Sequence, residues 1–413
     1  MGFLLPAYPI SELRIGLRDT NTAKPFVAVQ KSTQPRMHRT FLALCLLTLA
    51  ACDEPAPVGV GLVDAQSGEP FVITTLSSGF SATQTEETTG NAPRVLFGIL
   101  DDATFGTTEA LGYVDFVSPG ILTSAFEDNV VQSASLLLAT NYVFGDSLSD
   151  IAIQLRSIES AWLGSGVTSD TTLHVGALVT GYSVNYSTRT LEIPLPDDWV
   201  ARWDTTIRGT SFDDSFHGFE VSTTSRTGVF GFDILGSTIQ AVAGGDTTLF
   251  FASRSLTRFV GNSTPPVDPD GFAIQDGGKR GMSFGLEPFL EDTRSLALNR
   301  GIVRIPADTS YSANLQANYV RPIVDWLVLD WVSSDGTRTP IALSQRVAGR
   351  FDFQSNQLHD SLATFVAGNS GLSSFELRVP DLVADGSVNS VSVIRIPHAT
   401  ATPSLLLTVT PIQ

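Results

Sequence analysis

Apolar and polar residues alternate with a period of two along much of this chain. Ile151, Ile153 and Leu155 lie on one side of Ile-Ala-Ile-Gln-Leu-Arg, and Leu191, Ile193 and Leu195 repeat the pattern. Phe375, Leu377 and Val379 do so again, as do Val391 and Val393. Side chains two apart share a face of an extended strand, so the alternation predicts half-buried β-strands. Two runs are apolar throughout, Leu136-Leu137-Leu138 and Trp326-Leu327-Val328-Leu329. They predict central strands covered on both faces. Clusters of Gly, Asp, Ser and Thr separate the segments. Short strands between recurrent turn signals predict a mostly β chain, an antiparallel β-sandwich or jelly-roll-like fold.

Helices are few in this pattern. Pro196-Asp197-Asp198-Trp199-Val200-Ala201-Arg202-Trp203 opens with acidic residues that suit a helix N-terminus. Asp360 is predicted to cap a helix over Ser361 to Ala367, with Leu362, Phe365 and Val366 on one face and Gly368 as its stop. Both read as connectors. The run from Gly261 to Gly271 is rich in Pro, Gly and Asp and predicts a linker or long surface loop. The expected layout is a first sandwich domain over 71–260, a linker over 261–282 and a second sandwich domain over 283–413.

A different pattern occupies Met37 to Cys52. His38 and Arg39 lead an apolar core from Phe41 to Leu49, and Leu49-Ala50-Ala51-Cys52 closes it. This is the layout of a bacterial export signal ending in a lipobox. The cysteine distinguishes it from ordinary cleavage, because a thiolate is the nucleophile that accepts the lipid. The apolar run is shorter than the ~20 residues a membrane-spanning helix needs. Residues 37–51 are therefore expected to be removed, and 52–70 to form a lipidated tether beginning Cys52-Asp53-Glu54-Pro55. Residues 1–36 are expected to be an extension upstream of a translation start at Met37.

Composition sharpens this picture at two points. The two cysteines are Cys45 and Cys52, so the expected mature chain has no disulfide and its stability rests on burial. The whole chain carries a net charge of −17. Removing the six basic and two acidic residues before Cys52 leaves 19 against 40, a net of −21, with Lys279 the one remaining lysine. Such a surface disfavours nucleic acid and electrostatic docking to anionic lipid.

Several short segments resemble an uncharacterised family of large lipoproteins from gram-negative bacteria, catalogued as a domain of unknown function. They are the lipobox, Val58-Gly59-Val60-Gly61-Leu62, and Leu96 to Ala110 with its Asp101-Asp102-Ala103-Thr104-Phe105-Gly106-Thr107-Thr108 core. A strand ending in Gly145-Asp146, then Phe216-His217-Gly218-Phe219, then Ala297 to Pro306 complete the series. The resemblance implies a lipoprotein of the outer membrane, periplasmic or surface-exposed, and supplies no active site to carry over.

Three constellations carry candidate chemistry. Gly145-Asp146-Ser147-Leu148 is similar to the nucleophile block of the esterases named for that sequence, and Asp214-Ser215-Phe216-His217 has their Asp-x-x-His spacing. Ser147 would attack, His217 would act as base and Asp214 would orient it. The Gly-x-Asn-Asp block expected between them is absent, as is any strand–helix alternation, and Gly-Asp is equally a turn between strands. Asp268, Asp270 and Asp276 are oxygen ligands of the kind calcium takes, without the spacing of an EF-hand loop. Trp162, near a loop, is the candidate for stacking on a sugar, against the alternative that tryptophans beside apolar strands are core. The four histidines after Cys52 are scattered, which argues against a transition-metal site.

The sequence thus points to a non-enzymatic binding or structural component of the cell envelope. It needs no cofactor, and it is held to the outer membrane through a lipid on Cys52. The expected partners are the membrane and either a polysaccharide or an envelope protein, with no nucleic acid.

Overall fold

The computed structural model describes residues 69–76, 78–84, 90–164, 167–168, 171–186, 189–260, 271–277, 280–285, 296–312, 315–366, 372–380, 390–397 and 402–411. Residues 64–413 belong to one compact unit. The signal region, Cys52 and the tether up to residue 68 lie outside the described residues.

The chain opens with β1 (Phe71–Leu76), β2 (Ser78–Gln84), β3 (Arg94–Asp102) and β4 (Gly106–Val117). Helix α1 (Ser124–Glu127) precedes β5 (Val131–Asp146), β6 (Asp150–Ile158), β7 (Val175–Asn185) and β8 (Thr190–Pro194). Helices α2 (Asp197–Ile207) and α3 (Phe212–Ser215) lead into β9 (Phe219–Thr223), β10 (Thr227–Ala243) and β11 (Asp246–Val260). Then come β12 (Gly271–Gln275), β13 (Arg280–Gly285), β14 (Leu296–Pro306), β15 (Tyr319–Val320) and β16 (Trp326–Ser333). β17 (Arg338–Val347), β18 (Arg350–Phe353), helix α4 (Asn356–Val366), β19 (Leu372–Arg378), β20 (Val393–Pro397) and β21 (Ser404–Pro411) end it.

The strands build two curled antiparallel sheets in a sandwich-like fold, as the alternation predicts. A ten-stranded sheet runs β15-β5-β10-β11-β4-β9-β6-β7, with β3 bridging β10 and β4 and β8 lying on β5. An eleven-stranded sheet runs β1-β21-β14-β18-β17-β16-β19-β13-β12-β20, with β2 on β13. The halves exchange strands. β1 and β2 fall within 71–260 yet pair with β21 and β13 of the second half. β15 crosses the other way, with Tyr319 opposite Asp146 and Val320 opposite Gly145 on β5. Of the expected linker, 261–270 lies outside the described residues, while 271–275 is strand β12, paired along β20 with Ile274 in the core.

Each sheet encloses an apolar core. The ten-stranded sheet buries Ile151, Ile153, Leu155, Leu191 and Ile193 with Phe97, Phe219, Phe230 and Phe250. The eleven-stranded sheet buries Leu327, Leu329, Phe375, Leu377, Ile394 and Leu407. Trp326–Leu329 forms the central strand its apolar run predicts, flanked by β17 and β19. Leu137 differs: it is half-buried while Leu136 and Leu138 are fully buried, because β5 alternates like the rest.

Both predicted helices form, with shifted ends. α2 runs past Trp203 to Ile207, burying Trp199, Val200 and Ile207 on one face. α4 starts at Asn356 rather than after Asp360, because the hydroxyl of Ser355 accepts the Leu358 N–H at 2.9 Å. Ser355 is thus the capping residue, and Asp360 lies inside the helix.

Candidate functional site

The densest buried chemistry lies where the two sheets meet. The β3–β4 turn supplies Asp102 and Phe105. Asp102 folds that turn locally, its Oδ1 accepting the backbone N–H of Thr104 at 2.8 Å and of Phe105 at 3.0 Å. Aspartate is favoured in turns because it bonds its own backbone in this way. Its Oδ2 accepts from the Tyr319 hydroxyl at 2.8 Å and from Arg321 Nε and Nη2 at 3.1 and 2.6 Å. Arg321 Nη1 donates to the Tyr311 carbonyl at 2.6 Å. Its guanidinium carbon lies 5.6 Å from the Phe105 ring centroid, 5.5 Å from Tyr311 and 5.6 Å from Tyr319, within reach of cation–π attraction from all three.

Further links run along this seam. Arg280 Nη1 donates to the Phe105 carbonyl at 2.8 Å, and Gln275 Nε2 to Thr108 Oγ1 at 3.2 Å. The Val391 N–H donates to the Tyr142 hydroxyl at 2.9 Å. Leu96, Leu100, Phe144, Val229, Val391 and Val393 form an apolar cluster around these contacts.

Electrostatics favour this arrangement as fixed. Burial works against the Asp102 charge, but the hydrogen bonds from Arg321 and Tyr319 outweigh it and hold the carboxyl below its ordinary range. Burial first, and then the Asp102 charge, push the Tyr319 hydroxyl well up. With both carboxylate oxygens saturated by donors, the cluster fastens β15 and the segment around it to the β3–β4 turn, and the Tyr311 hydroxyl, donating to the Val393 carbonyl at 2.9 Å, ties it to β20 of the eleven-stranded sheet.

A second buried polar strip crosses the eleven-stranded sheet. Asp330 and Glu376 are cross-strand neighbours on β16 and β19. Each carries its own arginine, Arg378 Nε on Asp330 at 2.6 Å and Arg338 Nε on Glu376 at 2.5 Å.

The residues singled out from sequence scatter across this frame. Ser147 sits in the turn between β5 and β6, its hydroxyl donating to the Asn318 carbonyl at 2.9 Å. A strand follows it, not a helix. Leu148 N–H closes the turn on Asp146 Oδ1 at 3.0 Å. His217 lies at the far end of β6, where the neighbouring Gly218 carbonyl accepts the Ile158 N–H at 3.1 Å. At ~3.3 Å per residue, Asp150 to Ile158 spans about 26 Å. The fold does not bring Ser147 together with His217 and Asp214.

Trp162 is inside rather than at the surface. It is 6% exposed, and its indole N–H donates to the His217 carbonyl at 3.0 Å. Tyr113, Ile158 and Leu256 surround it, so its ring is not presented for stacking on a sugar. Asp276 accepts the Ser390 hydroxyl at 2.5 Å and the Gly277 N–H at 3.1 Å. Asp268 and Asp270 lie outside the described residues. Among the described residues no three His, Cys, Asp or Glu side chains gather as a metal site.

The Asp102–Arg321 seam was not visible as a site in the sequence. Its one signal was the Asp102-x-x-Phe105-Gly106 spacing, whose role emerges only with Arg321 beside it. Compared with protein-family models, curated proteins and solved structures, the chain matches none of them.

Proposed function

We propose that this chain is an exported cell-envelope lipoprotein, held at the outer membrane through a lipid on Cys52, whose β body acts as a non-catalytic binding or structural component. The observation that carries this reading is the Met37–Cys52 segment, a basic start, an apolar core and Leu-Ala-Ala-Cys in that order. The acidity of the rest of the chain supports it, since a net −21 body is repelled by anionic lipid and needs another means of attachment. Two or more acyl chains hold a protein stably where one binds marginally. The buried charges of the body also favour a structural role, because each described pair has its partner within the fold.

Metabolic labelling with a clickable fatty acid tests the anchor. The wild-type chain is expected to take up label and sediment with membranes, and Cys52→Ser to lose the label and become soluble as a folded protein. Label or membrane retention in Cys52→Ser would overturn the reading.

A further inference from the structure

We infer that the outer face of the eleven-stranded sheet, at its β1 edge, docks on the anionic lipid of the bilayer that carries the Cys52 anchor. The inference rests on the lipoprotein reading above and adds to it which side of the body meets the membrane. Charge is unevenly spread over this chain. From Cys52 on, it has 19 basic against 40 acidic residues. The adjoining strands β1, β21, β14, β18 and β17 reverse that balance, with Arg300, Arg304, Arg338, Arg346 and Arg350 against Asp352. Arg338 and Arg346 are matched by Glu376 and Asp325 from neighbouring segments. The other three arginines outnumber their carboxylate. Arg304 and Arg350 share Asp352, at 2.7 and 3.1 Å, and Arg300 donates to the neutral amide of Gln354 at 2.7 Å.

Register sets these arginines on the face turned away from the core. Val303 and Ile305 on β14, and Phe351 and Phe353 on β18, are buried. Arg304 and Asp352, paired between them, therefore point outward. Arg300 and Val72 both lie across from Thr408. Apolar side chains are interspersed: Val72 is 59% exposed, Val347 opposite Arg350 is 66% exposed, and Ile302 is half-buried. Helix α4 covers the other face, where a Cβ on Gly301 would meet Leu362 at 2.5 Å.

Two observations select a membrane as the occupant. Basic and apolar side chains together suit anionic headgroups above acyl chains, where apolar burial and charge attraction add. β1 is also the first described strand after Cys52, and residues 53–70 are the whole connection between them, so the anchor delivers this edge to the bilayer. Salt screens exposed charges beyond about 8 Å, so carboxylates elsewhere on the body do not cancel the local positive charge.

Photocrosslinking on vesicles tests the inference. The chain from Cys52 on contains the whole compact unit and one cysteine. Its thiol is coupled to maleimide-headgroup lipid in vesicles of phosphatidylcholine and phosphatidylglycerol, so attachment does not depend on lipidation in the cell. A photocrosslinking amino acid placed at Val347 is expected to form on the order of tenfold more lipid adducts than one placed at Leu163, an equally exposed control, since each basic residue near an anionic surface is worth about fivefold. Arg300→Glu with Arg350→Glu should bring Val347 labelling down to the Leu163 level with an unchanged circular dichroism spectrum, as should vesicles of phosphatidylcholine alone. Equal labelling at the two positions, or labelling at Val347 that ignores the charge reversal, would overturn the inference. A failed docking face is thus read here, and a failed anchor in the fatty-acid labelling.

Discussion

Arg321 closes on Asp102 at 2.6 Å across a sequence separation of 219 residues, with the two side chains 8% and 1% exposed. The pair belongs to different halves of the chain and forms only when β15, just before Arg321, has crossed to join β5 in the ten-stranded sheet that holds Asp102. Breaking a buried pair by removing one partner strands the other charge and costs ~3–5 kcal/mol. Arg321→Met is therefore expected to lower the unfolding free energy by about that amount, read from urea melts. Adding Asp102→Asn should recover part of the loss, because the stranded carboxylate goes with it. A double variant as unstable as the sum of the singles would mean that the two side chains do not act as a pair.

Gly145 marks a place where two strands of one sheet, β5 and β10, approach closely. Its φ is +126°, and a Cβ there would lie 2.3 Å from the Thr227 carbonyl oxygen and 2.6 Å from the Gly228 Cα. Both obstacles are backbone, so neither can swing aside. Gly145→Ala is expected to cost upwards of about 2 kcal/mol through strain and displacement of β10. Thermal denaturation provides the measure, and an unchanged midpoint would contradict this packing of β5 on β10.

Trp162 tests how the loop after β6 is folded. Its ring fills the cluster of Tyr113, Ile158 and Leu256, while the next residue, Leu163, points to solvent. Trp162→Ala should cost ~3–5 kcal/mol, the range for emptying a buried aromatic site. A surface stacking residue would lose almost nothing.

Period-two alternation made the β architecture legible, since Ile151, Ile153 and Leu155 or Phe375, Leu377 and Val379 declare their buried face locally. It does not declare which strand lies beside which. Nothing near Phe71–Leu76 indicates that its partner is Ser404–Pro411, so boundaries drawn along the chain misassign the first two strands. The alternation also misleads at buried charges. Asp330 and Glu376 occupy polar positions that read as solvent-facing, yet both are buried because Arg378 and Arg338 reach them from other positions. Trp162 and Leu163 reverse simple expectation for a related reason: the indole N–H finds the His217 carbonyl, so the larger ring goes inward.

Asp115 yields a prediction about pH. Burial raises its carboxyl to about 6 from an ordinary 3.8, against the opposing hydrogen bond of the Phe116 N–H and the charge of Arg254. The side chain is 4% exposed, with Arg254 Nη1 at 3.0 Å on Oδ2. The folded chain therefore holds this proton more tightly than the unfolded one. The penalty of burying the carboxylate is fully present above about pH 6, shrinks as pH falls through that value, and is gone below about 3.8. Asp115→Asn keeps an acceptor for the Phe116 N–H and carries no charge at any of these pH values. It is expected to be more stable than wild type at pH 7.5, by at most about 3 kcal/mol, with the difference vanishing toward pH 4. Asp102, Asp308 and Asp352, held below their ordinary range, weaken both proteins alike at lower pH and cancel in the comparison. Urea melts of the two proteins from pH 4 to 7.5 supply the difference curve; one that is flat, or that grows toward acid, would show that Asp115 is not held protonated by the fold.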